Sequence, residues 1–173
     1  MDRTTDRTDE VVAAMSDPGT AVEGNPLLLE RQVCFALAVA NRSVLRIYRR
    51  LLEPLGLTHP QYLVMLALWE ESPRAVKDLG AALQLDSATL SPLLKRLEAN
   101  GVIVRRRRDD DERNVDIALT DAGRELREQA LTIPQSVVDA LGVEMADLEE
   151  LREVLTRVNA AAVRAAGDHD RLG

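Results

Sequence analysis

Residues 85–120, LDSATLSPLLKRLEANGVIVRRRRDDDERNVDIALT, constrain the fold more than any other stretch. Asp86 is a helix-capping residue type, and Leu90, Leu93, Leu94 and Leu97 then recur at helical spacing. Asn100-Gly101 is a helix stop, because glycine tolerates the left-handed backbone that ends a helix. Val102, Ile103 and Val104 read as a strand, and Val115, Ile117 and Leu119 alternate as a second one. The RRRRDDDERN between them is charged enough to predict a solvated hairpin loop. VKDLGAALQL, just upstream, reads as another short helix. Two short helices followed by a β-hairpin define a winged helix-turn-helix. The expected fold class is mainly α with a small β-hairpin.

The flanks read as helices. Residues 1–24 are rich in Asp, Arg, Thr and Gly and poor in large apolar groups, which predicts a disordered tail. Asn25-Pro26 has the form of a helix start, and Val33, Leu37, Ala40, Val44, Ile47 and Leu51 form one apolar stripe. Glu53-Pro54 ends that helix. Thr58 and Gln61 have the spacing of a capping box, opening a helix that carries Leu63, Leu66, Ala67 and Trp69. Thr120-Asp121 caps a later helix, which Pro134 should interrupt. From Met145 a last helix carries Leu148, Leu151, Val154, Leu155, Val158 and Ala162. These helices hold more apolar surface than one small core needs, so they predict packing on a partner chain. The expected organisation is a tail (1–24), an N-terminal dimerisation helix (25–58), a winged-helix DNA-binding domain (59–120) and C-terminal dimerisation helices (121–168).

Charge sharpens this division. The chain carries a net −7. Residues 74–113 nevertheless hold nine Lys/Arg against seven Asp/Glu, net +2, which leaves −9 elsewhere. A locally basic module in an acidic chain suits a face that meets polyanions. Cys34 is the single cysteine, so no internal disulfide can form, and no metal-ligand spacing accompanies it. No cofactor is expected. The first residues lack the apolar core of a signal peptide, and no apolar run approaches the roughly 18 residues of a membrane span. These features predict a cytoplasmic protein. An enzyme is disfavoured, since the sequence offers no nucleophile–base pair, metal motif or glycine-rich phosphate loop.

With the four leucines turned inward, the helix from Ser87 presents Ser87, Thr89, Ser91, Pro92, Lys95 and Arg96 on its other face. Small and hydroxylated groups in the first turns suit base edges in a major groove, and the later Lys95 and Arg96 suit phosphates. An ordinary amphipathic surface helix would look the same. The hairpin adds weight to the first reading. Four consecutive arginines, Arg105 to Arg108, repel one another unless anions compensate; Asp109, Asp110, Asp111 and Glu112 are one source and phosphates another. Arg106, Arg107 and Arg108 are therefore expected at DNA. Arg113, oriented by Asp111, is expected at the wing tip in the minor groove, whose narrow walls concentrate negative potential.

The stretch from Leu85 through the LKRLE segment, the Asn-Gly turn and the Asp111-x-Arg113 pattern resembles the recognition helix and wing of MarR-type transcription regulators. The resemblance implies a homodimer that binds a pseudo-palindromic double-stranded operator and usually represses. ERQVCFALAVANRSVLRIYRRLLEPLGLTHPQYLVMLALWE further resembles the OhrR branch, the thiol-based sensors of organic hydroperoxides; in all, about residues 27–165 are similar. In that branch a cysteine near the start of the first long helix is the sensor, and Cys34 matches it. Tyr48 matches one of the tyrosines that hold the reactive sulfur, while Ala38 and His59 stand where the branch commonly has tyrosine. Tyr62 lies close by in sequence.

By position alone Cys34 is a small core residue on an apolar helix face. As a sensor it would need a stabilised thiolate and access for oxidant. A partly protonated His59 facing it would favour thiolate more than a tyrosine hydroxyl does. Oxidation would give a sulfenic acid, then a mixed disulfide with a low-molecular-weight thiol, a ring with backbone nitrogen, an intersubunit disulfide or over-oxidation. The expected function is a redox-sensing repressor that releases DNA when Cys34 meets organic hydroperoxide or a related oxidant such as hypochlorite. The alternative is a MarR-type regulator gated by a small phenolic or aromatic ligand, with Cys34 structural.

Overall fold

The structure, a computed structural model, describes residues 25–107 and 115–169. The chain falls into two units, Met1–Asn41 and Arg42–Gly173.

In the first unit the chain opens with a turn rather than the expected helix. The Asn25 side chain accepts the Leu27 N–H at 2.9 Å. The Gln32 side-chain amide then donates to the carbonyls of Pro26 (2.6 Å) and Leu28 (3.2 Å), which a continuous helix would reserve for backbone donors. A 3₁₀ turn, Leu29–Arg31, results, and the α-helix begins only at Val33. Helix α1 is Val33–Leu52 and crosses into the second unit after Asn41. In the first unit its apolar side chains find little cover, with Val33 69% and Leu37 40% exposed.

The second unit contains α2 (His59–Glu70), β1 (Arg74–Ala75), α3 (Val76–Leu83), α4 (Ser87–Ala99), β2 (Ile103–Arg107), β3 (Val115–Leu119), α5 (Asp121–Ala130), α6 (Ile133–Leu141) and α7 (Met145–His169). The strands form one antiparallel sheet in the order β1-β3-β2. The hairpin pairs Ile103 with Leu119, Arg105 with Ile117 and Arg107 with Val115. Two expectations change here. The sheet has a third strand, since Arg74 and Ala75 pair with Ile117 and Asp116; two residues are too few to show a periodicity. Arg105 to Arg107 belong to a strand, not to the loop that their charge suggested. Backbone pairing sets strand identity, and alternating side chains leave charge at the edge without burying it.

Leu52, Val64, Met65, Leu68, Leu79, Leu90, Leu94, Leu97, Ile103 and Ile117 form the fully buried centre of this unit. Leu93 is only partly buried. On α2 the buried side chains are Gln61, Tyr62, Val64, Met65, Ala67 and Leu68, whereas Leu63 (38%) and Leu66 (41%) are exposed. This helix is apolar almost all round, so its periodicity does not select the inner face. The capping residue Thr58 donates its backbone N–H to Gln61 Oε1 at 2.8 Å, as the box spacing implied.

Close packing joins the winged helix to α5. A Cβ on Gly123 would lie 2.0 Å from the Val102 carbonyl oxygen, so only glycine fits. The Gly123 carbonyl accepts the Trp69 indole N–H at 2.8 Å, and its N–H donates to the Thr120 hydroxyl at 3.0 Å. Pro134 stands at the start of α6 and separates it from α5. Among the described residues no helix is long and apolar enough to cross a membrane.

Candidate nucleic-acid interface and thiol

Helix α4 is set in place by its leucines and by its cap. Asp86 accepts the Thr89 N–H at 2.7 Å, and that bond holds its carboxyl below the usual range. Leu90, Leu94 and Leu97 are buried against the core. Ser87, Thr89, Ser91, Pro92, Lys95 and Arg96 are all exposed, so one face of one helix presents the six together. The Ser91 hydroxyl donates to the Ser87 carbonyl at 2.7 Å. Pro92 sits inside the helix. It lacks the N–H that would bond the carbonyl four residues earlier, which leaves an acceptor on the exposed side.

The turn before α4 is tight. Gln84 ends α3 in the left-handed region, at φ 53°. The Leu85 N–H returns to the Gly80 carbonyl at 2.9 Å. A Cβ on Gly80 would lie 3.0 Å from the Leu85 oxygen, so a small residue permits the approach. The Gln84 side chain accepts from the Asn159 amide on α7 at 3.0 Å. A groove of about 740 Å³ runs between the start of α4 and the wing, with Lys77, Asp86, Ser87 and Arg105 on its walls.

In the wing, Arg106 is exposed and Arg107 closes strand β2. Arg108, Asp111 and Arg113 lie outside the described residues. Sequence reasoning passed over Arg105 and Glu98. One Glu98 oxygen accepts the Arg105 backbone N–H at 3.3 Å, and the other pairs with Arg105 Nε at 3.1 Å. The signal was an acid in the last turn of a helix, a few residues before the first arginine of a strand. It looks like any surface charge until the turn brings the two together.

The expected sensor residues divide between the units. Cys34 and Ala38 belong to the first, and both are exposed. Cys34 is therefore not a core residue of its own chain. Tyr48, His59 and Tyr62 meet in the second. The Tyr48 and His59 rings are edge-on at 4.7 Å between centroids, Tyr62 is 6.1 Å from Tyr48, and Trp69 continues the cluster 6.2 Å from Tyr62. Tyr62 is buried. Burial raises the Tyr48 and Tyr62 phenol pKa values, with the Tyr48 charge adding to the second. Burial also lowers the His59 pKa, which holds the imidazole toward its neutral form. Burial thus works against the partly protonated His59 that would favour a nearby thiolate. A cavity of about 560 Å³ opens beside it, lined by Leu45, Leu57 and Pro60 with Arg49 and Glu53 at its edge. Among the described residues no group of three or more His, Cys, Asp or Glu could hold a metal.

This architecture has known counterparts. The family model for the transcriptional regulator SarA/Rot matches residues 46–130. The chain is 43% identical over 127 residues to the organic hydroperoxide resistance transcriptional regulator of Bacillus subtilis (strain 168), covering 73% of this chain and 86% of that protein. It is 46% identical over 140 residues to the HTH-type transcriptional regulator TtmR of Methylorubrum extorquens (strain PA1), covering 81% of this chain and 69% of that one. Among solved structures, reduced AbfR bound to DNA is similar with a TM-score of 0.67 and 32% identity, over 78% of this chain and 94% of that chain. A winged helix-turn-helix of this topology, matched at these identities across most of the length of known regulators, means that the chain belongs to the MarR family of transcription regulators.

Proposed function

We propose that the protein is a homodimeric, DNA-binding repressor whose hold on its operator ends when Cys34 is oxidised by an organic hydroperoxide or a related oxidant. The observation that carries the redox part is the exposure of Cys34, on a helix face that sequence alone marks as core. A thiol locked in its own chain's core would be inert; one that meets a subunit interface instead can be oxidised and disturb that interface. The likeness to an organic hydroperoxide resistance regulator supports the same reading. For the DNA-binding part, the support is the exposed row Ser87, Thr89, Ser91, Pro92, Lys95 and Arg96 beside the arginines of the wing. Arg106, Arg107, Arg108 and Arg113 would meet phosphate and minor groove, with Asp111 orienting Arg113. Residues 59–120 would serve as the reading head, while 25–58 and 121–168 would form the dimer through the apolar side chains left exposed there. Ala38 beside the sulfur, with Tyr48, His59 and Tyr62 approaching from the partner chain, would shape the sensor pocket.

The Cys34 thiolate attacks one oxygen of the hydroperoxide and the O–O bond breaks. Sulfur becomes the sulfenic acid, and the alkoxide leaves as the alcohol after taking a proton. A polar sulfur, or one carrying a small thiol as a mixed disulfide, would no longer fit an apolar interface. Two recognition helices must enter major grooves about 34 Å apart, so a small change between subunits ends binding. Fluorescence anisotropy with an operator duplex tests this. Cumene hydroperoxide should release the wild type and leave Cys34→Ser bound; release of both proteins would remove Cys34 from the mechanism.

One observation favours the second reading, a phenolic or aromatic ligand. A groove of about 260 Å³ is lined by Tyr62, Leu66, Trp69, Glu70, Arg127 and Leu131, which joins apolar walls to one guanidinium and one carboxylate. Under that reading a phenolic acid such as salicylate would release wild type and Cys34→Ser equally.

A further inference from the structure

We infer that Glu98 is a positioning residue that fixes the pitch of the wing on the recognition helix. The inference rests on the DNA-binding reading above and goes beyond it. Strand β2 is an edge strand, because the sheet order β1-β3-β2 leaves its outer side unpaired. An edge strand presents backbone N–H groups with no ladder partner. The Arg105 N–H finds one in Glu98 Oε1, at 3.3 Å, while Glu98 Oε2 holds Arg105 Nε at 3.1 Å. One carboxylate thus grips one residue by main chain and side chain together. Such a grip fixes direction as well as distance, which a contact to a flexible guanidinium alone does not.

The place of the grip gives it leverage. Helix α4 ends at Ala99 and β2 begins at Ile103. The intervening turn is tied at its base, where the Val102 N–H donates to the Leu97 carbonyl at 3.2 Å. Pairing with β3 makes the strand one half of a hairpin, whose outer edge at β2 still faces α4. Glu98 adds a second tie farther along the strand, and two points define an angle. Arg106 and Arg107 follow directly, so the direction of β2 at Arg105 decides where the charged end of the wing arrives. Arg105 itself lines the neighbouring groove with Lys77 and Ser87, and the pair with Glu98 balances its charge there. A carboxylate beside a DNA-binding helix is otherwise a plain cost, since it repels phosphate. Here it sets geometry instead.

The two roles separate by experiment. The wild-type chain is used to enrich a duplex from a random-sequence pool, and a scrambled duplex of equal composition serves as the reference. Affinities for both are measured by anisotropy across a salt series. If Glu98 positions the wing, Glu98→Ala should lower the ratio of enriched to scrambled affinity by about tenfold, a typical loss for one misplaced sequence contact, and Glu98→Gln should lower it by less. The scrambled duplex should bind no worse, because a negative charge has gone and Arg105 is released to phosphate. Arg105→Ala should lower the ratio by a similar factor, and the double variant no further, as for two residues that act as one unit. If Glu98 is only a surface charge, both duplexes will tighten in parallel at an unchanged ratio, which overturns the assignment. Additive effects of Glu98 and Arg105 would overturn it as well. Glu98→Gln retains an acceptor for the Arg105 N–H and so guards against a loss of fold. A wild-type chain that enriches no sequence would overturn the DNA-binding reading, and this assignment with it.

Discussion

Leu94 and Leu155 look alike in sequence, each a leucine on the apolar stripe of a helix, yet the first is 1% exposed and the second 37%. The same contrast holds between whole regions. The winged helix buries most of its large apolar side chains within the chain, with Leu63 and Leu66 as exceptions. Helix α7 leaves Leu151, Val154, Leu155, Val158 and Val163 open, and in the first unit Leu27, Leu28, Leu29 and Val33 are open too. A stripe that no intrachain surface covers, repeated over several turns, is a face made for another surface. On the proposed dimer reading the two regions would owe their stability to different things, one to its own core and the other to association.

Paired substitutions test that difference most directly. Leu94→Ala should cost about 2–5 kcal/mol, the usual range for truncating a fully buried leucine. The loss should be the same at every protein concentration. Leu155→Ala should leave the dilute protein nearly unchanged and instead weaken self-association, so that its unfolding midpoint falls behind the wild type only as concentration rises. Thermal melts over a hundredfold concentration range, with sedimentation alongside, read both effects. Equal, concentration-independent losses would mean that α7 packs inside its own chain.

A smaller effect is expected where the winged helix meets α5. Gly123→Ala places a methyl group 2.0 Å from the Val102 carbonyl oxygen, a backbone atom that cannot rotate away. The two elements must part, at about 1–3 kcal/mol for an overpacked site. Because the Gly123 carbonyl holds the Trp69 indole N–H, the tryptophan emission should shift to longer wavelength as that bond loosens. An unchanged melt and unchanged emission would show that the junction is looser than its geometry implies.

The same contrast explains how much of the molecule could be read from sequence. The recognition helix was legible because three signals coincide: the cap at Asp86, the leucine spacing and the Asn-Gly stop. The inner face of α2 was not, because nearly every side chain on it is apolar and no period singles out one side. Strand β1 was hidden by its length. The arginines of β2 misled because charge reports exposure, and exposure does not separate an edge strand from a loop. Among site residues, the outward row of α4 follows from the inward one by simple geometry. The Glu98–Arg105 grip does not, since it depends on a turn that folds an acid back onto a later residue. The thiol was visible only as the single cysteine; its exposure was not, because an apolar helix face reads as buried whether its cover comes from the same chain or from another.

The smallest expected effect concerns pH, and it bears on the aromatic cluster at the edge of the core. His59 has its pKa lowered from 6.5 by burial. The unfolded chain then binds more protons than the folded one between that lowered value and 6.5, so stability rises with pH across this window and declines as the pH falls below 6.5. Tyr48 and Tyr62, raised from 10.0, act at the other end. Their folded phenols resist ionisation, so stability is lost as the pH climbs above 10. Arg49 and Glu53 line the same cavity as His59 and carry opposite charges, so neither sign of charge prevails beside the ring and burial decides. Urea unfolding across the range should show a shallow acid decline beginning near neutrality, and His59→Gln should flatten it. The Asp86 carboxyl, held low by its bond to the Thr89 N–H, contributes separately: its share is present above 3.8 and lost as the pH falls through the depressed value, so it survives in His59→Gln. An imidazole that titrates at or above 6.5 by NMR would break this account, and would return a protonated His59 to the list of groups able to stabilise a nearby thiolate.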